Sequence, residues 1–203
     1  MLAAAAEVAA GGRVGGAASA VAEKTQRRRE DRLVARGGGR EPYPCPFGGL
    51  LTGASPVDRG RAGSKHHLLV DANGVPLVVT LTGGNRNDVT QLIPLLELLH
   101  ARPVAGKPGR PRQKPDRLLA DRGYDHDKYR RLLRARGVKP LIARRGTENG
   151  SGLGTQRWVV ERGFAHLHNF RRLRTRYERD PQIHQAFLTL ACAILCFRRL
   201  HSF

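Results

Sequence analysis

DRLLADRGYD, residues 116–125, is the stretch whose reading decides the fold. Leu118, Leu119 and Ala120 form an apolar run too short for a helix and long enough for a buried strand. Asp121 follows at once, so the strand delivers a carboxylate to its C-terminal edge, where α/β sheets collect their ligands. A second acid stands out downstream. Glu161 lies in WVVERGFAHLHNFRRLR, residues 158–174, a helical pattern studded with arginines. Each acid has an ordinary account: Asp121 can pair with Arg122 or cap the helix that follows, and Glu161 can pair with Arg157 one turn earlier. Taken together they say more. Arg157, Glu161, Ala165, His168 and Arg172 share one helix face beside the apolar stripe Val160, Gly163, Phe164, Leu167 and Phe170. Glu161 therefore sits at the edge of the buried surface, within reach of a ligand held at a neighbouring strand end. Carboxylates converging there are a way to hold Mg²⁺ for phosphodiester chemistry.

Working outward, HHLLVD (66–71), Asn73-Gly74 and VPLVVTLT (75–82) read as strand, turn and strand. Asp88 with Gln91 reads as a capping box for a helix that starts near Pro94. Residues 103–116 hold four prolines and four lysines or arginines, which predicts an exposed basic loop. A helix over 126–136 turns Tyr129, Leu132 and Leu133 inward and stops at Gly137. KPLIARR (139–145) reads as a strand, TENGSGLG (147–154) as a flexible turn, and Thr155 onward and Gln182–Leu200 as helices. The order is that of a mixed α/β domain.

Composition narrows the partners. The chain has 203 residues, with 36 Lys plus Arg against 17 Asp plus Glu, a net charge of +19. Such an excess of cations predicts a polyanion, because Lys and Arg release counterions from phosphate backbones. The longest apolar run, AFLTLACAILCF at 186–197, has twelve residues and cannot span a bilayer. Cys45, Cys192 and Cys196 make neither a disulfide framework nor a metal quartet, which suits a cytosolic compartment. The first 40 residues are Ala/Gly-rich and then Arg-rich, without Phe, Trp, Tyr or Ile, so a disordered arm is expected. Three prolines in EPYPCP (41–46) oppose helix and central strand alike. The expected division is a non-homologous arm over 1–46 and a folded domain over 47–203.

Three blocks carry a resemblance: GASPVDRGRAGSKHHLLVDANGVPLVVTLTGGNRNDVTQLIPLL (53–96), LLADRGYD (118–125) and RWVVERGFAHLHNFRRLRTRYERDPQIHQAFLTLACAILCFRRL (157–200). Over residues 47–200 the chain resembles the catalytic domain of bacterial insertion-sequence DDE transposases of families four and five. The resemblance implies a ribonuclease-H-like mixed sheet with flanking helices, and cleavage and strand transfer at element ends. It also implies two Mg²⁺ or Mn²⁺ ions held by an Asp, Asp, Glu set. Asp121 matches the second aspartate and Glu161 the glutamate. Arg157 matches the basic position four residues before the glutamate, and His168 stands where a lysine is often found seven residues after it.

The first aspartate is the departure. In relatives it lies on the opening strand, and the corresponding GGGREPYPCP holds no aspartate. Asp58 and Asp71 match other positions, the latter as a turn residue, and Asp31 falls in the arm. The expectation is a domain lacking its first strand, incomplete as an enzyme, whose missing part comes from an upstream reading frame. The implied partner is double-stranded DNA at terminal inverted repeats, met by Arg59, Arg61, Lys65, Arg86, Arg122, the 107–114 loop, Arg144, Arg145, Arg157, His168 and the run 171–176, Arg171 and Arg172 among them. Tyr124 and Trp158 are stacking candidates and equally packing candidates. Assembly on DNA as a homo-oligomer and a bacterial, nucleoid-associated location go with the resemblance. The alternatives are a DNA-binding remnant without activity and a ribonuclease-H-like nuclease of other purpose.

Overall fold

The computed structural model describes residues 32–37, 42–56, 58–100, 114–146 and 154–200. Its strands are β1 (Arg32–Gly37), β2 (Tyr43–Pro44), β3 (Gly53–Ala54), β4 (Ala62–Asp71), β5 (Pro76–Gly83), β6 (Arg117–Ala120) and β7 (Lys139–Ile142). Its helices are α1 (Leu92–His100), α2 (Asp127–Ala135), α3 (Gly154–His168) and α4 (Pro181–Leu200). The expected mixed α/β architecture is present.

One sheet takes all seven strands. Its main path runs β2-β4-β1-β6-β7, with β3 and β5 also paired to β4. The β4, β5 and β1 pairings are antiparallel, whereas β6 is parallel to both β1 and β7. Successive residues point to opposite faces, so each central strand feeds two cores. Leu69, Leu118 and Ala120 join Leu92, Leu95, Leu96, Tyr124 and Leu133 beneath α1 and α2. Leu68, Val70 and Leu119 join Phe164, Leu167, Leu188 and Ala191 beneath α3 and α4. The result is a helix–sheet–helix sandwich.

The opening strand corrects two expectations. Arg32–Gly37 lies between β4 and β6, paired through Leu33↔Asp71 and Gly37↔His67 on one side and Arg32↔Arg117 and Ala35↔Ala120 on the other. The sheet is thus not short of its first strand. Nor does the fold begin at residue 47: Tyr43 and Cys45 are buried, and β2 pairs with β4 despite the prolines. The physical reason is positional. Pro44 sits on a two-residue outer strand, where a missing N–H costs little. β1 holds its place by hydrogen bonding on both edges rather than by composition. The rest of the expected arm, residues 1–31 and 38–41, lies outside the described residues, as do most of the basic loop (101–113) and most of the 147–154 turn.

Smaller differences are local. Asn87, not Asp88, caps the turn before α1, its side chain accepting from the Val89 amide at 3.2 Å. Asp88 instead pairs with Lys65 at 3.2 Å. The β4–β5 turn is organised by Asp71, whose Oδ1 accepts from the amides of Asn73 and Val75 at 2.8 Å each. Gly74, at φ +82°, supplies the left-handed residue that this turn needs.

Candidate active site and nucleic-acid interface

DRGYD folds into a tight structure at the end of β6. The Asp121 Oδ1 accepts from the Gly123 amide at 2.9 Å, capping a 3-10 turn over Arg122–Tyr124. Glycine matters at 123, since a Cβ there would meet Asp121 Oδ1 at 2.9 Å. Tyr124 then drops wholly into the core. That corrects its reading as a DNA-stacking residue: the ring packs.

Asp125 anchors the start of α2 and the end of β7. Its side chain, only 7% exposed, faces an equally buried Arg130 at 2.7 Å. Arg130 also donates to the Ile142 carbonyl at 2.7 Å, tying α2 to β7. Burial would raise the Asp125 carboxyl, but the Arg145 amide, Arg130 and Arg144 together hold it below the ordinary carboxylate range. Arg145 donates to the carbonyls of Arg122 and Gly123 at 3.1 and 3.0 Å, and Arg144 to Asp127 at 2.5 Å. These two arginines, expected against DNA, brace the loop that carries Asp121.

Glu161 is exposed on α3, which packs across β4 and β1. Gly163 allows the close approach, because a Cβ there would meet Leu68 at 3.1 Å and Val70 at 3.4 Å. Phe164 and Leu167 share their core with Leu119. Asp121 is two residues beyond Leu119, so by strand alternation it falls on the α3 side of the sheet. Both acids therefore belong to one side of one sheet. The neighbour of Asp121 on β1 follows from the register: Ala35 pairs with Ala120, and one step on, Arg36 is alongside Asp121. A basic residue occupies that backbone position.

Two comparisons with known proteins bear on this arrangement. The family model described as the transposase DDE domain matches residues 37–196. The chain belongs to the DDE transposase family. It is also 55% identical over 154 residues to a Burkholderia cepacia protein named as a transposase for insertion sequence element IS402, covering 76% of this chain and 72% of that relative.

A DDE transposase works on DNA with divalent metal ions, and the donor set here does not suit that task unaided. Among the described residues, no three His, Cys, Asp or Glu side chains gather closely enough to hold an ion. Asp121 and Glu161 lie on the same side of the sheet, and by register Arg36 is the backbone neighbour of Asp121 on β1. Asp71 cannot serve, since its carboxylate is committed to the hairpin turn.

The basic positions divide into presented and committed groups. Arg59, Arg61, Arg86, Arg171 and Arg172 are exposed, and Arg122 is half-buried. Arg59 adopts φ +43° beside Gly60 at φ +75°, a turn that thrusts it outward. Lys65 is largely buried by its bonds to Asp88 and the Arg86 carbonyl at 3.0 Å. Arg172 pairs with Glu178 and lies 5.1 Å over the Tyr177 ring. The side chain of Arg157 lies outside the described residues. Trp158 is 52% exposed. Among the described residues no helix is long and apolar enough to cross a membrane.

His168 is held rather than presented. It hydrogen-bonds the Tyr43 hydroxyl, and burial with nearby Arg174 lowers its pKa. The Tyr43 ring stacks on His66 at 3.8 Å, whose Nε2 meets His184 Nε2 at 3.0 Å, and His184 reaches Glu178 at 3.1 Å. Below them lies Arg176, fully buried and donating to the carbonyls of Leu51, Glu178 and Arg179 and to Ser64 Oγ. Sequence reasoning missed this network and set the run 171–176 against DNA, whereas Arg176 is buried and its guanidinium is used internally. Arg176 is one of several arginines in RRLRTRYER, and nothing in the string separates the buried one.

Proposed function

We propose that this chain is the catalytic domain of an insertion-sequence transposase that binds double-stranded DNA at element ends but does not cleave it alone. One observation carries the second half: Arg36 is the register neighbour of Asp121 on β1, the strand that bears the first aspartate in the resembled family. Asp121 and Glu161 are then two acids of a three-acid set for two Mg²⁺ or Mn²⁺ ions. At that backbone position the chain carries an arginine, which adds no ligand for a cation and whose charge is of the wrong sign to hold one. No cleavage step follows from this chain's own residues.

The strand arrangement supports a ribonuclease-H-like reading. Three antiparallel strands, β5, β4 and β1, continue into β6 and β7, parallel to β1. The charge of +19 supports DNA as the ligand. Arg59, Arg86, Arg122, Arg171 and Arg172 are the contacts assigned to it, with Arg157 and His168 at the two family positions on α3. Assembly of copies on paired ends belongs to the same reading, and an uncharged exposed stripe on α4, Ile183, Leu190 and Phe197, supports it. So does a bacterial cytoplasmic location beside the nucleoid.

The test is plasmid nicking with Mg²⁺ or Mn²⁺, on DNA carrying the element's ends. The expectation is binding without nicking. Robust nicking that Asp121→Ala abolishes would overturn the incomplete-site reading. A DNA-binding remnant and an enzyme lacking one ligand separate on Arg36→Asp, which restores nicking only in the second case.

A further inference from the structure

On the flank of α3 away from Glu161 there is a cleft of about 230 Å³, closed by the β4–β5 turn and the last turns of α4. Arg162, His166, Arg198 and Arg199 line it together with Asn73 and Gly74. No acidic residue is among its described lining. Asp71, the nearest acid along the turn, has its Oδ1 occupied by two backbone amides. Three arginines thus border one concave surface, with the Arg198 guanidinium 5.9 Å over the Phe170 ring, and such a concentration of positive charge attracts an anion. The volume suits a sugar–phosphate unit and excludes a base-pair stack. Arginine is the side chain whose planar fork matches phosphate oxygens.

The cleft is distinct from the Asp121–Glu161 region. Arg162 follows Glu161, so it projects about 100° further round the helix, and His166 is one turn on. Along the sheet, Leu33 pairs with Asp71 and Leu118, whereas position 36 is level with Asp121. Those levels are about 10 Å apart at the rise of a strand, and the cleft lies beyond Asp71. The flank continues towards the helix start: the Arg162 guanidinium lies 5.9 Å over the exposed Trp158 ring, and its Nε donates to His166 Nε2 at 3.3 Å.

We propose that this cleft is a second DNA contact, which takes a backbone phosphodiester between Arg162, Arg198 and Arg199. It rests on the DNA-binding reading above and adds a place to it. His166, with Nε2 accepting from Arg162, is left with Nδ1 for a phosphate oxygen. The Asn73–Gly74 turn walls the opposite side.

The experiment measures affinity for a random-sequence duplex from about 50 to about 300 mM salt. Three proteins are compared: the unaltered chain, Arg162→Gln/Arg198→Gln/Arg199→Gln, and a charge-matched control, Arg131→Gln/Arg134→Gln/Arg179→Gln. The log–log salt slope should fall by about one in the cleft variant, near 0.9 for the one phosphate lost, and by less than half of that in the control. The matching triple lysine variant keeps most of the slope. Equal losses in cleft and control variants would overturn the proposal and leave a solvated charged face. No binding by the unaltered chain would instead sink the DNA-binding reading itself. Should the glutamine variant fail to fold, phenylglyoxal labelling of the unaltered chain serves. DNA should protect Arg162 and Arg198 more than Arg131 and Arg134, and equal protection would refute the cleft.

Discussion

Asp125 and Arg130 show how a motif that looks catalytic can be half structural. DRGYD opens and closes on aspartates with opposite duties: Asp121 stands at the strand end, and Asp125 is locked beneath it. Breaking a buried pair by removing one partner leaves an uncompensated charge and costs about 3 kcal/mol. Asp125→Ala should therefore lower unfolding free energy by that order in urea titration. A loss below about 1 kcal/mol would say the pair is solvated. The histidines make a pH prediction. Burial depresses His66 and His184, the latter against the pull of Glu178, and it depresses His67 to about 4. The unfolded chain then binds protons that the folded chain refuses, so stability is present above the ordinary histidine pKa and declines as pH falls. The melting temperature should drop steadily between about pH 6.5 and pH 4. A flat profile across that window would contradict neutral, buried imidazoles.

At the scale of elements, the sequence was legible where periodicity or a turn signal was strong. The 66–82 hairpin, the Leu118–Ala120 strand and α2 to α4 all follow from alternation, apolar runs or helical spacing, and their ends fell within a few residues. β1 was not legible, for a physical reason. RLVARG is an ordinary six-residue string in an unpromising Arg- and Gly-rich context, and only the empty slot between β4 and β6 makes it a strand. Tertiary context overrode local propensity there. For the candidate site, the sequence named Asp121 and Glu161, which fall on one side of the sheet, whereas the place of Arg36 beside Asp121 needed the β1 register. A chain cut to residues 47–203 should thus lose cooperative unfolding, because β4 and β6 lose their shared partner. A sharp thermal transition in that shortened chain would restore the domain boundary expected from the sequence.

At the scale of the whole molecule, charge and site point in different directions. A net charge of +19 draws the domain onto DNA whether or not it can cut. Affinity for duplex should fall steeply with salt, by about a thousandfold between about 50 and 200 mM for six or more phosphate contacts. Binding indifferent to salt would refute an electrostatic interface. Many of the arginines are nevertheless committed internally. Arg130, Arg145 and Arg176 satisfy buried carbonyls and carboxylates, so the DNA-facing set is smaller than composition suggests. On the proposed reading, the position beside Asp121 decides whether bound DNA is cut. The most direct measurement is Mg²⁺-dependent plasmid nicking by Arg36→Asp, alongside the unaltered chain and Arg36→Asp/Asp121→Ala. Only the single variant should nick, as a third carboxylate joins Asp121 and Glu161. Nicking by the unaltered chain at the same rate, or none by a folded Arg36→Asp, would contradict an incomplete site at that position.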